Sequence, residues 1–321
     1  MTPAQLVSNF DFAARSMLAH ASLRRGWLRH AAWLSALGAF LFLSSGLLVG
    51  RLLTARRHPR VDEPPPSSVY APVRLTTSDG LSIGAWLWVH PEERAAVVLV
   101  HGNGASRTAM QGDAERWFAL GCTVMPISVR AHGDSEGERN DVGYSARHDV
   151  AAAIAYLRRH SPTRRIILHG VSLGAAASLF AAAEDHEIDG LVLIGPYGDL
   201  REAIRSRTER YLPWGVETLA YGALLAASPV VLPDLDRIRP LQAAHRVRTT
   251  TPMLIVAGEL DRRAPLRVAR EMAVGHPDAR VIVAPALDHE ELEMWMRSSG
   301  ASQALREFLE MLDHGEEAPA P

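Results

Sequence analysis

The sequence predicts an α/β fold in which a mostly parallel sheet is covered by helices on both faces. Three observations carry this. Beyond about residue 70, strand-like runs alternate with helix-like stretches. Those runs are apolar throughout, as in strands buried on both faces, instead of alternating with polar residues. And "RIILHGVSLGAAAS" passes from a β-branched run to an Ala/Leu-rich one across one serine set between glycines, the mark of a strand turning sharply into a helix. With 321 residues, 47% of them hydrophobic, the chain can bury a full core, and one large domain over residues 73–312 accounts for the pattern.

The elements follow in order. Residues 1–30 form a basic N-terminal segment. "AAWLSALGAFLFLSSGLLVG" (Ala31–Gly50) then runs without a charge. As a helix of about 1.5 Å per residue it would span roughly 30 Å, the thickness of a bilayer's hydrocarbon core, so a transmembrane helix is expected over residues 31–53. A buried helix and a cleaved signal peptide are the rivals, but no short n-region or small-x-small cleavage site is evident, and no cysteine follows to make a lipoprotein signal. Four arginines precede the span (Arg15, Arg24, Arg25, Arg29) and four follow it (Arg51, Arg56, Arg57, Arg60), so charge leaves the orientation open. The short basic N-terminus favours a slight lean toward the large domain lying outside the cytoplasm, at a bacterial inner membrane. Residues 54–72, rich in proline, read as a stiff linker.

"VRLTTSDGLSIGAWLWV" reads as a hairpin around Asp79-Gly80. Strands are expected at "AAVVLVHG", "CTVMPISVR", "RIILHG", "GLVLIGPY", "TPMLIVAGE" and "RVIVAPAL". Residues 199–250 exceed what one crossover helix needs; the apolar, proline-broken "YLPWGVETLAYGALLAASPVVLP" reads as a small helical insertion, a candidate lid or an elaborated surface crossover. Residues 313–321 are expected to be disordered.

Composition excludes several classes. Formal net charge is -2, which offers no basic field for nucleic acid. Every basic residue counted as Lys or Arg is Arg, which reads as codon preference in a GC-rich genome. The single cysteine, Cys122, lies in an apolar run and reads as a core residue; no disulfide can form within the chain, and no cysteine cluster suits a metal. No metal and no cofactor are expected.

The chemistry centres on Ser172. Gly170 and Gly174 leave room for a tight turn that lifts its hydroxyl above the sheet, at the positive end of the next helix. A serine hydroxyl attacks well only if a base takes its proton, and the base is best a histidine oriented by a carboxylate. Asp261 falls just past the strand in "MLIVAGELD", and His289 just past the next in "VIVAPALDHE". Catalytic groups of open α/β sheets gather at these carboxyl ends. The oxyanion would be met by the backbone N–H groups of Leu173 and of Asn103, in the "HGNG" turn that leaves an early strand.

These elements resemble the α/β-hydrolase superfamily: G-x-S-x-G, chain order Ser, acid, His, and an H-G turn after an early strand. "SVRAHGDSEG" (Ser128–Gly137) is similar to the R-G-x-G-x-S-x-G turn of membrane-anchored, Bem46-like and acylaminoacyl-peptidase-like serine hydrolases, with Ala131 where those relatives have Gly. The resemblance implies a metal-independent serine hydrolase cleaving a carboxylic ester, thioester or amide, its partners an acyl or lipid-like substrate and the membrane lipid around its N-terminal helix. A non-catalytic, membrane-tethered binding module of the same fold is the alternative. Some relatives carry the acid after the preceding strand, where Asp199 stands. Dehalogenase-like relatives use an Asn after H-G, but their nucleophile is Asp, and Ser172 argues against that chemistry.

The remaining polar residues have plainer readings. His169 reads as a core histidine, His101 as a brace for the oxyanion turn, Glu259 as a turn residue and Asp149 as structural. Arg130 and His132 shape their loop or touch substrate. Asp288 neighbours His289 but is badly placed to partner it. Since every catalytic element lies beyond residue 70, a chain beginning near Tyr70 is expected to be soluble and active.

Overall fold

A computed structural model describes residues 3–57, 70–163, 165–184 and 187–316. Its strands are β1 (Ala71–Thr76), β2 (Ser82–Leu87), β3 (Ala95–Val100), β4 (Cys122–Ile127), β5 (Ile166–Val171), β6 (Gly190–Ile194), β7 (Met253–Gly258) and β8 (Ala279–Ala284). The order across the one sheet is β1-β2-β4-β3-β5-β6-β7-β8. The β1–β2 hairpin turns at Asp79-Gly80, pairs antiparallel, and meets β4 antiparallel; β3 to β8 are parallel. All eight are the predicted strands.

The helices are α1 (Pro3–Thr54), α2 (Gln111–Ala119), α3 (Arg147–His160), α4 (Leu173–Glu184), α5 (Leu200–Tyr211), α6 (Val216–Val231), α7 (Pro240–Ala244), α8 (Leu266–Ala273), α9 (Leu292–Met296) and α10 (Ser299–Glu316). Two buried clusters, one on each face of the sheet, divide them. α3, α4 and α8 close over one face with Val98, Leu168 and Ile255; α2, α9 and α10 close over the other with Val97, Ile167 and Val256. β3, β4 and β7 are buried at every position, which is why their sequences carry no alternation. Cys122 is fully buried beside β3.

The ends differ from the sequence reading. The apolar span is not a separate helix over 31–53 but part of a single helix that continues back to Pro3 and ends at Thr54. Residues 54–57 are not free linker: Thr54 O accepts from Asn140 N–H, Arg57 N–H donates to Ala131 O, and Ala55 bridges Arg139. Residues 58–69 lie outside the described residues. At the other end α10 runs on to Glu316, and Asp313 pairs with Arg94 and Arg165, so a disordered tail from 313 is corrected; 317–321 lie outside the described residues. The insertion between β6 and β7 is helical, as predicted, and consists of α5, α6, a short 3-10 turn and α7.

Candidate active site

The turn at Ser172 is set by close packing. Ser172, between β5 and α4, has φ +52°, in the left-handed region, at a cost of about 1–2 kcal/mol. A Cβ on Gly170 would lie 2.2 Å from Gly174 O, and one on Gly174 2.1 Å from Val100 O. No side chain larger than hydrogen fits either place. Ser172 N–H donates to Ile194 O at 2.8 Å, which ties the turn to the end of β6.

Three loops at the carboxyl ends of β5, β7 and β8 bring the candidate residues together. Ser172 Oγ lies 2.9 Å from His289 Nε2, and His289 Nδ1 lies 2.7 Å from Asp261 Oδ2. The other oxygen of Asp261 accepts from the N–H groups of Arg263 and Ala264 at 2.8 and 2.9 Å. Its carboxylate is fully buried and the His289 side chain 14% exposed. With Nδ1–H donating to the carboxylate, the lone pair of Nε2 faces the serine hydroxyl.

Two glycines that the sequence reading passed over complete this geometry. A Cβ on Gly195 (φ +58°), at the end of β6, would meet His289 Cε1 at 3.2 Å and Leu292 at 2.9 Å; Gly195 is the floor under the imidazole. A Cβ on Gly258 would meet Leu287 O at 2.5 Å, so this glycine lets the His289 loop close onto β7. Both end strand-like runs, which was the available signal.

The Asn103 turn packs on Ser172: a Cβ on Gly102 would be 3.9 Å from Ser172 Cβ. Leu173, fully buried, opens α4 immediately after Ser172. His101 Nδ1–H donates to Gly102 O at 2.7 Å and its Nε2 accepts from Val129 N–H at 3.1 Å, the bracing role read from sequence. Complete burial keeps this imidazole neutral, its pKa lowered to about 3. The Asn103 side chain faces the neighbouring loop, where its Oδ1 accepts from Asn140 Nδ2 at 2.6 Å. His132 accepts from Gly104 N–H at 3.2 Å and donates to Arg130 O at 2.9 Å. Asn140, also unremarked in the sequence, thus joins the Asn103 turn to the end of α1.

Ala131 has φ +60°, the conformation that explains a glycine preference in the similar turn. The turn forms with alanine all the same, held by Ala131 N–H on Glu136 O at 2.9 Å. Arg130 does not reach the serine; it binds Asp149 and Asp79, and Asp79 is held well below the usual carboxylate range by that guanidinium.

The rival acids are occupied elsewhere. Asp199 caps α5, accepting from Arg201 N–H at 2.7 Å, and lies 3.3 Å from Arg239. Asp288 pairs with Arg210 at 2.9 Å. Glu259 accepts from Ala286 N–H at 2.9 Å, a turn role. His169 is buried and accepts from Trp117 Nε1–H at 2.9 Å, with burial lowering its pKa to about 3. Among the described residues, no three His, Cys, Asp or Glu side chains are grouped to hold a metal.

A family model described as Hydrolase_4, serine aminopeptidase S33, matches residues 91–225, and one described as TAP-like protein matches residues 234–316. A polyketide transferase of Stachybotrys chlorohalonatus is 33% identical over 132 residues, 40% of this chain and 44% of its own. An uncharacterized membrane protein of Saccharomyces cerevisiae is 26% identical over 155 residues, 47% of this chain and 53% of its own. The chain thus spans about half the length of these curated relatives. An esterase of Pyrococcus furiosus superposes with a TM-score of 0.65 at 23% identity, covering 80% of this chain and 98% of that one.

Proposed function

We propose that this chain, which belongs to the α/β-hydrolase superfamily, is a membrane-anchored serine hydrolase that cleaves a carboxylic ester through an acyl-enzyme, with thioester and amide substrates within reach of the same chemistry. The observation that carries this is the hydrogen-bonded line from Ser172 through His289 to Asp261 at 2.9 and 2.7 Å. Ser172 Oγ attacks the acyl carbon as its proton passes to His289 Nε2. The imidazolium so formed is stabilised by Asp261, whose second oxygen is already committed to two backbone donors. The N–H groups of Leu173 and Asn103 receive the oxyanion. The intermediate then collapses: the acyl–oxygen bond breaks, its electron pair leaves on the alcohol oxygen, and His289 gives that oxygen its proton. Water then attacks the acyl carbon as its proton passes to His289, the bond to Ser172 Oγ breaks, and His289 returns the proton to Oγ, releasing the acid.

The membrane part rests on His30–Thr54, a helix segment of mean hydropathy 1.9 with 6% of its most apolar window buried, long and apolar enough to cross a bilayer. The yeast relative, named a membrane protein, agrees with it. A second reading concerns the acceptor. The name of the polyketide transferase relative fits the same acyl-serine handed to an alcohol or amine in place of water.

Ser172→Ala tests the proposal. The variant keeps its fold, because the hydroxyl supports no backbone group, and its hydrolysis of an activated ester falls by roughly 10⁴ to 10⁶. Undiminished turnover on a substrate that the parent cleaves would overturn the proposal.

A further inference from the structure

α6 carries the second apolar surface of the molecule. From Thr218 to Val231 it has no Asp, Glu, Arg or His. One face is closed by α1. A Cβ on Gly46 of α1 would lie 2.1 Å from Ala223 O, and one on Gly50 3.2 Å from both methyls of Val231. The facing residues of α6 are Ala223, Ala227 and Val231, all buried. Gly-x-x-x-Gly against small residues spaced by four brings two backbones nearly into contact, the way helices associate where lipid removes any hydrophobic drive between them.

The residues of α6 that border this seam are open. Leu219 is 64% exposed, Val216 48% and Val230 54%, and Trp214 in the preceding turn is 95% exposed. They adjoin a helix whose own Leu37, Phe40, Leu41 and Leu48 are 54% or more exposed. A continuous apolar surface of this kind on a soluble monomer is unusual and marks a contact with an apolar phase. We infer that the open face of α6 lies in the bilayer beside α1, so that the membrane, and not water, covers the cap. This rests on the reading of α1 as a membrane span, which supplies the argument for lipid as the occupant: the exposed face of α6 is continuous with that span through the glycine seam.

The inference also gives the substrate class. The end of α5, which leads into α6, lies at the rim of the candidate site: Tyr211 accepts from Arg263, two residues past Asp261, at 2.7 Å, and Arg210 pairs with Asp288, the neighbour of His289, at 2.9 Å. A cap seated in lipid at this rim selects acyl esters that partition into the bilayer.

A single-cysteine probe tests it on the full chain in phosphatidylcholine vesicles. Burial pushes the Cys122 thiol up to about 12, so an introduced surface cysteine is the one that labels. Leu219→Cys, Leu37→Cys and Glu209→Cys, each on an exposed position, receive an environment-sensitive fluorophore. The expected result is that the Leu219 probe, like the Leu37 probe, shifts to the blue and loses its emission to nitroxide lipid chains, while the Glu209 probe on α5 loses its emission to an aqueous quencher. A Leu219 probe that answers to the aqueous quencher while Leu37 answers to lipid overturns the inference and leaves the span standing. Both answering to water overturns the span and the inference together. Turnover of a water-soluble ester, measured on the unlabelled chain, reads the hydrolase proposal separately.

Discussion

The nucleophile rim and the α1–α6 cap are both held by glycines at close quarters, but they are built differently. At the rim, Gly170, Gly174, Gly195 and Gly258 sit where a Cβ would strike backbone or the imidazole, within 3.4 Å. Each hydrogen bond of Ser172, His289 and Asp261 is thereby fixed from strand ends buried in the core. At the cap, Gly46 and Gly50 let one helix rest on another whose residues bordering the seam, Leu219 and Val230, are open. The rim is set by the packed core behind it; the cap depends on what surrounds it. The two regions meet at Asn140, whose N–H donates to Thr54 O at the end of α1 at 2.9 Å and whose amide donates to Asn103 Oδ1 at 2.6 Å.

The largest effects should come from the rim. Asp261→Asn removes the charge opposite the imidazolium and allows the wrong tautomer, so kcat should fall about 10⁴-fold. Asp199→Asn should stay close to the parent in rate, because Asn caps a helix as well as Asp. Reversed rates in this pair would move the acid to Asp199. Gly195→Ala should cost about 10²-fold in kcat, the scale of a 1 Å misplacement of a catalytic group; a rate equal to the parent would mean that His289 is not held from below.

The junction should give an intermediate effect. Asn140→Ala withdraws one hydrogen bond from the Asn103 turn, and a loss of about 1–1.5 kcal/mol lowers kcat roughly tenfold with little change in KM. Removal of residues 1–69 also withdraws the bonds from Thr54 and Arg57 and uncovers Ala223 and Ala227. The truncated chain should therefore lose at least as much activity as Asn140→Ala and bind detergent, contrary to the expectation from sequence that it is independent of the anchor. Full activity in the truncated chain would separate the two regions.

The smallest effect is on stability and reaches neither region's chemistry. His101 and His169 are buried and neutral, each lowered to about 3 from an unfolded value near 6.5. The unfolded chain therefore takes up two protons that the folded chain refuses until about pH 3. The stability they confer is present above pH 6.5 and is lost as pH falls toward 3. Urea midpoints should drop between pH 7 and pH 4, and His169→Gln, which keeps an acceptor for Trp117 but does not titrate, should flatten that drop. An unchanged slope would mean that His169 is already protonated in the fold.

Legibility followed the same division. The strands, the nucleophile turn and the order Ser172, Asp261, His289 were readable because each depends on neighbours within a few residues: a β-branched run, two glycines, a strand end. Gly195 and Gly258 were not read because the atoms that exclude their Cβ belong to loops 90 and 30 residues away in round numbers, a contact that no local pattern encodes. The seam of Gly46 and Gly50 against Ala223 and Ala227 was hidden for the same reason, although each strip of small residues was in view. Asp313 was misread because a charged C-terminal stretch resembles a solvated tail until Arg94 and Arg165 are seen beside it.

The central claim is that Ser172 is a nucleophile activated by His289. Reaction with a fluorophosphonate, followed by peptide mass analysis, tests it most directly. The account predicts one adduct per chain, on Ser172, absent from Ser172→Ala and slowed strongly in a variant with His289→Ala. A folded parent chain that stays unlabelled, or is labelled equally with Ser172 replaced, would contradict it.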